Sequence, residues 1–232
     1  MNQILHTVKA LLRKSSTTEE LALGRGGAPS TSSLTLAALA LGASYGACMG
    51  LYGLLRGSAY GLYHLVAVTL KVPALFLLTL LVTAPSLFVF SALGRSRFGL
   101  RQTARLLLAA TTTSLAVLAS FAPVTAFFTF STKSHPFMQV LNTILFAIAG
   151  VVGLRYVHRI LGDALPSAEG RGGGRRGLRL VFSAWMLIYA AVGAQMAWIL
   201  RPLVGAPNLP QQLLRNTESN FIEGLLEALR YL

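Results

Sequence analysis

Groups able to carry acid–base, nucleophilic or metal chemistry are few and far apart in this sequence. The seven acids are Glu19, Glu20, Asp163, Glu169, Glu218, Glu223 and Glu227, and the four histidines are His6, His64, His135 and His158. The histidines show no metal-ligand spacing. No serine is read as a Gly-x-Ser-x-Gly nucleophile elbow, and no Gly-x-x-x-x-Gly-Lys phosphate loop occurs. Cys48 stands alone, so an internal disulfide is excluded and apolar packing is its simplest role. The expectation is a non-enzymatic protein with no cofactor and no bound metal.

Polar residues inside apolar runs are the next candidates. Thr79, Thr83, Ser86, Thr111, Thr112, Thr113 and Ser114 can donate their hydroxyls to their own helix backbone, so alone they mean little. Asn142 and Gln195 cannot satisfy their amides that way as fully. They are expected to bond across helices, as structural glue or as a substrate contact. No acid falls in an apolar run, which disfavours a proton- or cation-coupled carrier. Gly42, Gly46, Gly50, Gly53, Gly57 and Gly61 recur every three or four residues. On a continuous helix they form one stripe. Each glycine costs about 1 kcal/mol relative to alanine, so close helix packing is the expected return. The stripe packs either on the chain's own helices or on a second copy, and Ala190, Gly193, Ala194 and Ala197 offer an internal partner.

The elements that position these residues follow from composition. Of 232 residues 54% are hydrophobic and only 12% charged, about half the charged share of a soluble domain. Too few charges remain to cover a water-facing surface. The fold class expected is all-α, a polytopic transmembrane bundle of about five helices. Spans are read at about Ser33–Leu55, Pro73–Leu93, Leu106–Phe130, Phe137–Val157 and Leu180–Leu200, each near the length that crosses a 30 Å core. Pro73 opens the second as a first-turn proline, and residues 57–71 either extend the first or lie in the interface with Tyr60, Tyr63 and His64. Pro85 and Pro123 predict kinks. Residues 1–32 form a cytoplasmic part: Asn2–Lys14 is either a basic amphipathic helix on the membrane surface or a frayed tail, and Ser15–Ser33 is a linker. Residues 33–200 are the membrane domain. Residues 201–232 are an extracytoplasmic loop and a second amphipathic helix, whose apolar face suits lipid, the bundle or a partner. No cleaved leader is expected, since the first long apolar run begins near Leu34.

The net charge of +13 is explained by placement rather than by nucleic acid. Lys9, Arg13, Lys14, Arg25, Arg95, Arg97, Arg101, Arg105, Arg155, Arg159, Arg171, Arg175, Arg176 and Arg179 fall on one side of the spans. Arg56, Lys71, Lys133, Arg201, Arg215 and Arg230 fall on the other. That excess places the N-terminus in the cytoplasm and the C-terminus outside. The Gly170–Gly177 loop is a solvated positive-inside linker or a contact for anionic headgroups.

Five spans with a cytoplasmic N-terminal segment, together with Lys71-Val72-Pro73 and Pro85-Ser86, resemble the Yip1 domain family over about Ser33–Leu200. The Asp-Leu-Tyr-Gly-Pro element of its eukaryotic members is missing. The resemblance implies a fold and a role in membrane organisation, with no site residues. The abundance of Ala, Leu, Gly and Arg implies a bacterial inner membrane. Expected partners are membrane lipids and either further copies or other membrane proteins. Two functions are expected from these readings: a scaffold or subunit of a membrane assembly, or a channel or permease subunit for an anionic or neutral solute.

Overall fold

An apolar stretch flanked by a Ser30 cap begins the bundle. The Ser30 hydroxyl accepts from the Ser33 amide at 3.1 Å and its carbonyl from the Leu34 amide at 3.0 Å, closing the first turn of a helix. The structure is a computed structural model describing residues 2–12, 18–23, 28–55, 61–93, 100–164, 187–197 and 199–200. In chain order the helices are α1 (Asn2–Leu12), α2 (Thr18–Leu23), α3 (Thr31–Leu55), α4 (Gly61–Leu93), α5 (Leu100–Ser120), α6 (Ala122–Ser131) and α7 (His135–Ala164). A shorter apolar helix, α8, covers Leu187–Ala197. No strand occurs among the described residues, and the fold is all-α.

Among the described residues four stretches are long and apolar enough to cross a membrane: Thr31–Leu55, Gly61–Ser86, Arg101–Ser131 and His135–Arg159. The fifth expected span is represented by α8, and its earlier residues lie outside those described. The expected C-terminal amphipathic helix and Gly170–Gly177 loop lie wholly outside them.

The second span differs from expectation. It begins at Gly61, not Pro73, and Pro73 and Pro85 both sit inside α4. Residues from Gly61 therefore extend neither α3 nor an interfacial segment; they are the first half of span 2. A mid-helix proline is tolerable in a bundle because neighbouring helices accommodate the freed backbone, and Gly42 makes that room. A Cβ on Gly42 would lie 2.8 Å from Pro73 Cβ.

Pro123 does break its span. The chain turns at Phe121 (φ −87°, ψ −3°), whose amide bonds the Leu118 carbonyl at 3.0 Å, before α6 restarts with the proline in its first turn. Lacking an amide hydrogen, Pro123 cannot continue the α5 ladder. The Ser134 hydroxyl then accepts from the Phe137 amide at 3.3 Å and caps α7.

Helix α3 is the hub, packed against α1, α4, α5 and α6. It runs antiparallel to α4 and parallel to α5–α6: Leu34 meets Thr112, Tyr45 meets Thr125 and Tyr52 meets Lys133. The main core holds Tyr45, Met49, Tyr52, Val68, Val72, Leu115, Leu118, Met138 and Ala149.

The N-terminal segment also departs from expectation. Rather than only resting on lipid, α1 packs on α3 and α5, and the expected linker contains α2, which packs on α5 and α7. Leu11, Leu21 and Ala22 join Leu34, Leu106, Leu108 and Ala109 in a second core. The apolar face of α1 finds protein, while Leu5 and Lys9 remain exposed.

Candidate functional site

The glycine pattern divides between two helices. Gly42, Gly46, Gly50 and Gly53 lie on α3, Gly61 opens α4, and Gly57 is outside the described residues. A Cβ on Gly46 would sit 2.7 Å from the Val68 carbonyl oxygen, one on Gly50 2.9 Å from Leu65 Cα, and one on Gly53 2.7 Å from the His64 ring. Gly61 returns the approach: a Cβ on it would lie 2.9 Å from Leu54 Cα. The stripe is thus the seam of the antiparallel α3–α4 pair within one chain, with backbone close to backbone at Gly46 and Gly50 and the His64 ring over Gly53. The proposed α8 partner packs elsewhere: a Cβ on Gly193 would lie 3.7 Å from Thr79 Cγ2.

Facing away from that seam, Tyr45 anchors a polar network across three helices. Its hydroxyl donates to Asn142 Oδ1 at 2.6 Å and accepts from Thr125 Oγ1 at 3.2 Å. Asn142 Nδ2 donates to the Met138 carbonyl at 2.7 Å. All three side chains are buried, so each polar atom depends on the others. Phe146 packs edge-on to Tyr45, with ring centroids 5.7 Å apart, and stacks on Phe76 of α4 at 5.9 Å. Asn142 bonds across helices as expected. Gln195 is exposed on α8, with no hydrogen bond among the described residues. Tyr45 was missed, though a phenol in mid-span, away from the interfacial belt where tyrosine usually sits, is itself a signal.

Hydroxyls in the spans are mostly turned inward on their own helices. Thr79 donates to Leu75 O at 2.8 Å, Thr83 to Thr79 O at 2.6 Å, Ser86 to Thr83 O at 2.8 Å and Thr113 to Ala109 O at 2.9 Å. Thr112 divides its hydrogen between Leu108 O at 2.8 Å and Leu34 O of α3 at 3.2 Å. Ser114 bonds Ala110 O at 3.3 Å, and a Cβ on the facing Gly153 of α7 would collide with its hydroxyl. Thr111 and Thr129 are exceptions, with buried hydroxyls that donate to no acceptor among the described residues.

Gly42-Ala43-Ser44-Tyr45-Gly46 does match the letters Gly-x-Ser-x-Gly. The match carries no elbow. Ser44 is mid-helix, exposed, and donates to Leu41 O at 2.7 Å, whereas the nucleophile position requires a sharp strand-to-helix turn. Among the described residues no three His, Cys, Asp or Glu come together as metal ligands. His64 packs beside Gly53, and His135 lies with its ring 6.3 Å from Tyr52, at the end opposite His6 and His158.

The two ends differ in charge. Lys9, Arg101, Arg155 and Arg159 are exposed at the end that carries α1 and α2. Arg105, read only as a topology signal, is committed inside. Its Nε donates to Leu21 O at 2.7 Å, one terminal nitrogen to Thr31 Oγ1 at 3.3 Å and the other to Pro29 O. The planar fork suits three acceptors at once. Lys71, assigned from sequence to an outer loop, instead lies buried within α4.

No family model, curated protein or solved structure matches this chain.

Proposed function

We propose that this chain is a non-enzymatic membrane protein that acts by association, as a scaffold or subunit of a membrane assembly. The observation that carries the reading is how the intramembrane polar groups are used. The hydroxyls of Thr79, Thr83, Thr112, Thr113 and Ser114 bond their own backbones, Thr111 is an exception in α5, and Asn142 is held by Tyr45 and Met138. The permease reading leaned on those same hydroxyls as solute contacts, and it loses that support. The glycines of α3 are occupied by α4, so an association surface lies elsewhere on the bundle. The proposed setting is a bacterial inner membrane with a fifth span completed around α8, the basic end in the cytoplasm and the C-terminus outside. The Yip1-like assignment rests on span number and proline placement, and Pro73 inside α4 weakens the second of these.

Purification of the intact chain in mild detergent, followed by light scattering and identification of co-purifying proteins, tests the proposal. The expected outcome is a defined oligomer or a stoichiometric partner. A strict monomer that brings nothing with it overturns the reading, and solute flux through the purified chain in liposomes would favour the permease.

A further inference from the structure

Lys71 lies ten residues beyond Gly61. At 1.5 Å per residue that is about 15 Å into the span, half the depth of a hydrocarbon layer. The α3–α4 register, with Gly46 against Thr69 and Gly42 against Pro73, sets it level with Ser44 and Tyr45. Only 7% of the residue is exposed, and no hydrogen bond or ion pair reaches its side chain among the described residues. None of the four spans contains an aspartate or glutamate. A cation at this depth calls for an anion, and intramembrane charges mark functional positions by default. This chain's described spans supply none.

The surroundings on α4 suggest where an anion comes from. Ala67, Lys71, Ala74, Leu78 and Leu81 follow at intervals of three and four, so they form one row along the helix. Ala67 and Ala74 are half-buried, while Leu78 and Leu81 are 39% and 67% exposed. Lys71 therefore sits at the rim of the buried face, between two methyl side chains, with the row opening toward lipid. Small residues on either side allow a second helix to approach closely.

We propose that this row of α4 docks a partner membrane helix carrying an aspartate or glutamate at mid-depth, whose carboxylate pairs with Lys71. The inference rests on the subunit reading above. Charge complementarity selects the occupant. An all-apolar helix leaves the ammonium unmatched, and a second copy of the described spans brings no acid to this depth. Lipid phosphates lie about 15 Å away along the membrane normal, beyond the reach of a lysine arm.

The test reconstitutes the full chain in phosphatidylcholine bilayers with synthetic Leu/Ala transmembrane peptides that differ only at a central Asp, Asn or Leu. Energy transfer between labels reads association. The Asp peptide is expected to bind about tenfold tighter than the Leu peptide, with Lys71→Met erasing the preference. Lys71→Asp should restore binding to a Lys-centred peptide. Thermal melting by circular dichroism on the same samples separates misfolding from lost recognition. Equal binding of Asp and Leu peptides to the unaltered chain, or an undiminished Asp preference in Lys71→Met, overturns the proposal. Loss of Asp-peptide binding when phosphatidylglycerol is added assigns the site to lipid headgroups and overturns it as well. None of these outcomes touches the co-purification result, so the two readings fail separately.

Discussion

At the scale of single residues, the two kinds of glycine in this chain invite opposite substitutions. Gly46 meets the Val68 carbonyl and Thr69 Cα within 3 Å of where a Cβ would stand, whereas nothing approaches such an atom at Gly150 within 4 Å. Gly46→Val is expected to destabilise the protein by about 1–3 kcal/mol, the usual cost of overpacking. Gly150→Ala removes a helix-interior glycine with no clash and should stabilise by up to about 1 kcal/mol. Denaturant titration in mixed micelles followed by circular dichroism measures both, and equal effects of the two changes would refute the packing account. Asn142 was legible because an amide in an apolar run has too few local partners. Gln195 looked equivalent by that rule and is exposed on α8. Lys71 escaped notice because its apolar surroundings were divided at Pro73, leaving it in a connection. The Gly-x-Ser-x-Gly letters around Ser44 show the reverse fault, a motif without its backbone.

Among the elements, the long apolar helices were legible from run length, and the break near Pro123 from proline chemistry. The extent of α4 was not. A proline can start a helix or be carried within one, and the choice was made by Gly42 on another element, which no local signal encodes. Nor does a glycine period of three to four announce a change of helix, so the division between α3 and the antiparallel α4 left the pattern unbroken. The N-terminal helices raise a question of attachment rather than of existence. Arg105 holds carbonyls from both Leu21 and Pro29. Arg105→Gln is expected to speed amide exchange in α1 and α2 by about tenfold or more, leaving α3–α7 protected, since a partly buried charged donor is worth roughly 1.5–3 kcal/mol. Arg105→Lys should not rescue it, because a point charge cannot serve three divergent acceptors. Unchanged exchange in hydrogen–deuterium measurements on the Gln variant would mean that apolar contacts alone secure the segment.

For the molecule as a whole, the bundle has one end rich in exposed arginine and another holding Lys133 and the turn before α7. The proposed orientation makes a direct demand. Single cysteines introduced at Lys133 and at Arg159, in a Cys48→Ser background, should react with a membrane-impermeant thiol reagent from opposite sides, the first from outside intact cells. Labelling of both from the same side would contradict the antiparallel course of α7 against α5–α6. The charge asymmetry was readable along the chain because a topology rule counts residues in connections. The packing of α1 and α2 onto that same end was not, since amphipathic faces serve lipid and protein alike.

The network at Tyr45 has a consequence for how the chain is made. Its partners lie 80 residues further along at Thr125 and 97 at Asn142. At about 5–20 residues per second of synthesis, the phenol enters the bilayer several seconds or more before either exists. A threonine could meanwhile turn to its own backbone, but a tyrosine hydroxyl stands too far from its helix to do so. The α3–α4 pair needs no such wait, because both of its strips of backbone are complete by Pro73. Biogenesis is therefore expected to proceed in two stages, early pairing of α3 with α4 that leaves one hydroxyl unsatisfied and a late closure when α6 and α7 arrive to meet it.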